Sequence, residues 1–281
     1  MARIVGGFGI SHTPSMGMEY DKGIAKGFDP RWQKWFDGTR AVKAWLKEIR
    51  PERLVIVYND HLNHFDFDAY PTLAIGVAPG FRQADEGWGP RPFPDLVSDV
   101  DLGWHLTNKL VRGGYDLTVC QDLAVDHGIY SWFPYLFDTP WDIPVVPLAI
   151  NMVRHPIPTN ERLHGLGKAL GDAIRSFPGD ARTVVVATGG MSHQISGARF
   201  GIANEALDEY FLSKIKDDVQ ELIDIPQEEI MRLGGTEAAE LGIWFAMRGA
   251  LSDDLVEKYR YYTFPAITGC GVIVLEEKQA A

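Results

Sequence analysis

At 281 residues, with 46% hydrophobic and 23% charged residues, the chain has the composition of a soluble globular protein large enough to bury a sizeable core. The net charge of -11 argues against a nucleic-acid binder, whose footprint is a basic patch, and no apolar run approaches the roughly 20 residues of a membrane-spanning helix. Two distant cysteines, Cys120 and Cys270, suit a reducing cytoplasm and exclude a disulfide framework or a zinc knuckle, and the opening Met1-Ala2-Arg3-Ile4-Val5 shows no secretion signal.

In chain order, the apolar run Arg3 to Ile10 predicts a strand that delivers Ser11-His12-Thr13-Pro14. Asp29-Pro30 is a helix start, and Trp32, Trp35, Phe36, Val42, Trp45 and Leu46 keep helical spacing up to Arg50-Pro51. Those aromatics are expected to pack on the chain's own sheet, with any exposed remainder available to dock a small helical subunit. Arg53 to Tyr58 predicts a second buried strand, running into Asn59-Asp60-His61. Tyr70 to Val77 is a further strand. The Gly- and Pro-rich segment Gly80 to Asp95 predicts a long ordered loop, the kind that is usually functional.

Residues 98 to 112 read as a helix and Leu117 to Leu123 as a strand leading to Val125-Asp126-His127-Gly128. Pro144 to Val153 is a strand and Thr159 to Phe177 an amphipathic helix. The β-branched run Arg182 to Thr188 predicts a strand covered on both faces, ending in Gly189-Gly190-Met191-Ser192-His193. Helices are expected over Asn204 to Ile223, Pro226 to Leu233 and Thr236 to Leu251, and the strands Tyr259 to Phe264 and Gly271 to Glu276 could form a hairpin. Strands alternating with crossover helices mean one α/β domain over 1–281, with a mainly parallel central sheet and helices on both faces.

Of eight histidines, His12, His61, His127 and His193 each follow a predicted strand. Strand ends on one side of a parallel sheet converge on the crevice where ligands bind. His64, His105, His155 and His164 fall in helices or polar loops and receive no role. The last long helix supplies Glu237 and Glu240. Glu237 has an ordinary place in a first helical turn, whereas Glu240 is followed by Leu241, Ile243, Trp244 and Phe245, where an acid is costly unless paired or bound to a cation. Two histidines and a carboxylate suit a non-haem Fe(II) oxygenase, and three protein ligands can equally hold catalytic zinc.

Six segments, in this order, closely resemble the class III extradiol ring-cleaving dioxygenases: Ser11-His12-Thr13-Pro14, Val57-Tyr58-Asn59-Asp60-His61, Ala84 to Asp95, Val125-Asp126-His127-Gly128, Gly189 to Gln194 and Glu237 to Leu241. The likeness covers essentially the whole chain and is nearest to the catalytic β subunits of the protocatechuate 4,5-dioxygenases. It implies Fe(II) held by His12, His61 and Glu240, with His193 as acid/base and His127 holding a substrate oxygen. Asn59 and Asp60 become candidates for orienting His61. The implied substrates are O2 and a catechol or pyrogallol bearing a carboxylate, received by Thr268, the backbone around Gly269 and Gly271, and Arg91. No nucleotide is required, in keeping with the absence of a dinucleotide or P-loop motif.

Ile267-Thr268-Gly269-Cys270 departs from the polar residues that the protocatechuate enzymes carry there, so gallate, 3-O-methylgallate or a hydroxypyridone-type ring stand as alternative substrates. Gallate dioxygenases extend this domain with a helical one, so a separate small α subunit or a homo-oligomer is a candidate assembly. A zinc hydrolase and a non-catalytic binding protein are the competing readings.

Overall fold

Successive side chains of a strand point to opposite faces, and that alternation divides the apolar residues into two cores. In the computed structural model, which describes residues 2–278, Leu54, Ile56 and Tyr58 face one core while Val55 and Val57 face the other. Val184 and Val186 oppose Val185 and Ala187 in the same way.

β1 (Arg3–Ile10) leads into α1 (Pro14–Lys26) and α2 (Pro30–Ile49). The sequence reading did not anticipate α1, although its start was legible: Thr13 caps Met16 N–H at 3.0 Å and Pro14 occupies the first turn. β2 (Arg53–Tyr58) and β3 (Leu73–Gly76) follow, and β4 (Gly80–Phe81) pairs with β5 (Leu96–Val97) across the base of the Gly- and Pro-rich loop. Next come α3 (Val100–Arg112), β6 (Thr118–Cys120), the short α4 (His127–Tyr130) and α5 (Phe133–Leu136), β7 (Val145–Ile150), α6 (Asn160–Arg175) and β8 (Arg182–Thr188). The helix expected over 204–223 breaks into α7 (Glu205–Lys214) and α8 (Val219–Ile223), with the poor helix formers Asp217 and Asp218 between them. After α9 (Gln227–Gly234), a 3-10 turn over Thr236–Glu240 enters α10 (Leu241–Ala250), and β9 (Leu255–Thr263) and β10 (Cys270–Glu277) form the expected hairpin.

The sheet runs β6-β3-β7-β2-β8-β1-β10-β9. β1, β2, β7 and β8 are mutually parallel and share one carboxyl edge. β3 lies antiparallel to β7, and β6 is parallel to β3, so both end at the opposite edge. The expectation that His127 follows a strand ending in the common crevice is therefore corrected: β6 points away, and residues 121–126 bring the chain back, Val125 bridging to Gln83 on the way. Trp32, Trp35, Phe36 and Trp45 are all buried, Trp35 Nε1 donating to Tyr135 Oη at 3.1 Å and Trp45 Nε1 to Glu276 at 2.7 Å. They form no exposed stripe on which a subunit could dock. Among the described residues, no helix is long and apolar enough to cross a membrane.

Candidate metal centre at the carboxyl edge of the sheet

His12 and His61 lie just beyond the ends of β1 and β2, and His193 lies on the turn after β8. Their rings meet Glu240, placed where the 3-10 turn passes into α10. His12 Nε2 stands 3.2 Å from His61 Nε2 and 3.4 Å from Glu240 Oε2, and His61 Nε2 stands 3.4 Å from Glu240 Oε1. His193 Nε2 is 4.0 Å from Glu240 Oε2. His127 joins them, its ring centroid 3.9 Å from that of His61 and 5.4 Å from that of His12. One ring nitrogen from each of His12, His61 and His127 falls within 4.8 Å of the others. Gly190 makes this approach possible, because a Cβ there would stand 2.5 Å from His193 Cε1 and 3.0 Å from Thr268 Cγ2.

All four rings are anchored through Nδ1. Thr188 Oγ1 lies 2.8 Å from His12 Nδ1 and donates its own proton to Gly128 O at 3.0 Å, so it accepts from the imidazole. His61 Nδ1 faces Asp126 Oδ2 at 2.9 Å, His127 Nδ1 faces Glu86 Oε2 at 2.5 Å, and His193 Nδ1 faces Met191 O at 2.8 Å. A carbonyl or carboxylate can only accept, so each Nδ1 carries a proton, and Nε2 is the nitrogen each ring turns to the centre, where it could bind an ion. Glu240 adds two more acceptor oxygens. Against them stand few donors: Asn59 Nδ2, 3.0 Å from His61 Nε2 and 3.2 Å from Glu240 Oε1, and Gly190 N–H, 2.6 Å from Glu240 Oε2.

Converging acceptors call for a cation. Among the described residues, the ion-pair partners of Glu86, Asp126 and Glu240 are all histidines. Burial pushes His12 down to about 4, against the pull of Glu240. Burial also works to lower His61, but Asp126 and then Glu240 outweigh it and hold it well above its ordinary value. Glu240 lies well below the usual carboxylate range, because His12 and His61 overcome the effect of its burial. The acids thus demand a positive charge at His61 Nε2, and a divalent ion there meets that demand as a proton would. Imidazole nitrogens about 2.1 Å from an ion put neighbouring donors roughly 3.0 Å apart in an octahedron and roughly 3.4 Å in a tetrahedron. The observed 3.2–3.4 Å admits either arrangement.

The remaining predicted residues divide. Asn59 reaches the centre itself, its Nδ2 lying between His61 Nε2 and Glu240 Oε1. Asp60 does not touch His61: its carboxylate accepts the N–H groups of Asn63, His64 and Phe65, and burial, then Asp126, push it up to about 6. The orienting part expected of Asp60 belongs to Asp126, whose Oδ2 takes both His61 N–H at 2.7 Å and the Nδ1 proton, while Oδ1 caps α4 through Gly128 N–H at 2.9 Å. Thr268 bridges to His193. Gly269 N–H is committed to Ser192 O and Gly271 N–H to Ser11 Oγ, both at 2.9 Å, so neither is free to receive a substrate. Four of the five donors of Arg91 are likewise committed, to Asp21, Gly17 O and Tyr130 O. Asp126, Thr188 and Glu86 were missed. Only Asp126 carried a local signal, an acid directly before a histidine and a glycine at a helix start. A cavity of about 760 Å³ opens at the opposite edge of the sheet beside Arg3, Arg182 and Glu277, away from all of these groups.

Imidazoles and one carboxylate gathered at the carboxyl edge of parallel strands mark an α/β protein with a group that could hold a metal ion. Residues 6–273 match the family described as the catalytic LigB subunit of aromatic ring-opening dioxygenase, and the chain belongs to that family. It is 38% identical over 200 residues to a gallate dioxygenase of Pseudomonas putida KT2440, a match covering 70% of this chain and 59% of the relative's length. A 2,3-dihydroxyphenylpropionate/2,3-dihydroxicinnamic acid 1,2-dioxygenase of Pseudomonas putida is 25% identical over 292 residues, covering 86% of this chain and 88% of that one. A crystal structure of an uncharacterized protein from Escherichia coli K12 overlays with a TM-score of 0.55 at 14% identity, over 96% of this chain and 99% of that one, and shares the fold.

Proposed function

We propose that this protein is an extradiol dioxygenase that uses O2 to open a carboxylated catechol or pyrogallol ring, with Fe(II) held by His12, His61 and Glu240. The carrying observation is the set of Nδ1-anchored imidazoles whose Nε2 atoms converge with Glu240 on one point. Fe(II) there would supply the site at which the two ring oxygens and O2 meet, the ring itself providing the electrons, so that no external reductant is needed. His193 Nε2 takes the proton of a ring hydroxyl and returns it during ring opening, with Met191 O holding the imidazole in place throughout. His127 Nε2 holds the second ring oxygen. The bond broken lies beside the two hydroxyl-bearing carbons, and both atoms of O2 enter the product.

Membership of the family and the match to a gallate dioxygenase favour gallate or protocatechuate as substrate. With Arg91 and the Gly269 and Gly271 amides committed elsewhere, Thr268 beside His193 is the remaining candidate to meet a substrate carboxylate. A small α subunit or a second copy of the chain would cover Ile195 and Phe200, which stand exposed after His193.

Reconstitution with Fe(II) under argon, followed by air and a panel of protocatechuate, gallate, 3-O-methylgallate and a hydroxypyridone, tests this reading. O2 uptake with a yellow ring-opened product from at least one member is expected. No uptake from any member, at full iron occupancy and with an α-like partner supplied, would overturn it in favour of a binding protein. Ester hydrolysis by the zinc form alone would favour the hydrolase.

A further inference from the structure

One buried acid at the centre comes from outside the strands and helices that build it. Glu86 lies on the loop between β4 and β5, yet only 7% of its side chain is exposed. Both of its carboxylate oxygens serve a single residue: Oε1 accepts His127 N–H at 2.9 Å, and Oε2 accepts the Nδ1 proton at 2.5 Å. The loop is fixed on either side of it. Asp85 Oδ1 accepts Gly87 N–H and Gly89 N–H, each at 2.9 Å, and Gln83 Oε1 accepts Arg91 N–H at 2.8 Å. Arg91 is clamped to Asp21, and Ala84 N–H and Val125 N–H tie the loop to the segment that enters α4.

We propose that Glu86 is the positioning residue for His127, setting its tautomer so that Nε2 faces the substrate as an acceptor. This rests on the dioxygenase reading. A grip on both the main chain and the ring of one residue fixes the side chain about both of its torsions. Turning the ring over would break the Nδ1 bond, and moving the proton to Nε2 would set a bare nitrogen against a carboxylate. His193, by contrast, is held by the neutral carbonyl of its own turn. Of these two, His127 is the one oriented by a charge carried on a separate loop.

Glu86→Gln offers one acceptor and one NH2 group where two acceptors are needed. If its oxygen keeps the His127 N–H, its NH2 faces Nδ1 and drives the ring proton to Nε2. The other placement, its oxygen on Nδ1–H, would set its NH2 against the main-chain N–H, which unlike the ring cannot move its proton away, so the first placement is the one expected.

The test reads the tautomer directly, by long-range ¹H–¹⁵N spectra of histidine-labelled protein in the redox-silent Zn(II) form, beside kcat and KM of the Fe(II) form. Wild type should show His127 protonated at Nδ1, and Glu86→Gln should shift the population to Nε2–H with metal content unchanged. The kcat of Glu86→Gln should fall about 10²-fold, at the low end of what an acid/base group contributes, with KM changed by less than roughly threefold. In a His127→Phe background the same substitution should be silent, since groups that act through one another are not additive. Nε2–H in the wild type, an unchanged tautomer in Glu86→Gln, or an equal loss of kcat in the His127→Phe background would each overturn the proposal. If no aromatic substrate is turned over, the dioxygenase reading fails while the Zn(II) spectra still decide whether Glu86 sets the ring.

Discussion

Thr188→Val removes one hydroxyl from the far side of the metal centre and leaves the shape of β8 intact, since valine is equally branched and equally suited to a buried strand. Thr188 Oγ1 accepts from His12 Nδ1 at 2.8 Å and donates to Gly128 O at 3.0 Å. The carbonyl is insured, because it also receives Trp132 Nε1–H at 2.8 Å. The imidazole is not, and a buried donor without a partner costs about 1–3 kcal/mol. Without metal, the ring can escape part of that cost by moving its proton to Nε2, which faces Glu240 Oε2 at 3.4 Å. With metal, Nε2 must stay bare and the penalty remains in full. We expect the metal-free protein to lose about 1 kcal/mol in urea denaturation, and metal affinity to fall roughly 10–100-fold, as for other groups that orient a ligand. Thr188→Ser should restore both. Titration against a chromophoric chelator measures the affinity, and wild-type affinity within about threefold in Thr188→Val would refute the tautomer assignment.

His12→Ala, His61→Ala and Glu240→Ala should each lose stoichiometric Fe(II), read by metal analysis of anaerobically purified protein, whereas His193→Phe should keep its iron and lose about 10²–10⁴-fold in turnover. Retained iron in any of the first three would refute the ligand set. Gly9→Ala should destabilise by about 1–3 kcal/mol, the usual cost of overpacking, because the new methyl would stand 2.2 Å from Trp244 Cε3; the urea midpoint reports it. Burial, with Lys168 and Arg248 nearby, pushes His164 from 6.5 down to about 4. Between those values the unfolded chain binds a proton that the folded protein excludes, so stability falls as pH drops through that window. His164→Gln should flatten this part of the stability profile, and an unchanged slope would refute the assignment.

Much of the sheet and three of the four site histidines were legible because strand burial is a local, period-two signal and His12, His61 and His193 sit directly past it. Glu240 was legible through the conflict between its charge and its apolar neighbours. What escaped depends on orientation. β6 looks like any other short apolar strand, and nothing local shows that it pairs beside an antiparallel β3. The partners that set the tautomers lie far off in sequence, Thr188 176 residues from His12, Asp126 65 from His61, and Glu86 41 from His127. Gly269 was read as a donor because a loop glycine commonly offers its amide, yet Ser192 O already holds it.

The pairing of β1 with β8, in which Arg3 sits opposite Arg182, has a consequence for how the protein is made. The strand that leads to His12 leaves the ribosome well before its first partner, which follows some 180 residues later, about 9–36 s at 5–20 residues per second. Its second partner, β10, comes later still. Through that interval β1 has no ladder to join, and the backbone freedom of Gly6, Gly7 and Gly9 weakens it as a strand on its own. The ion-binding edge therefore closes only after β8 has been made, and a nascent chain truncated before β8 should be unable to take up metal at His12.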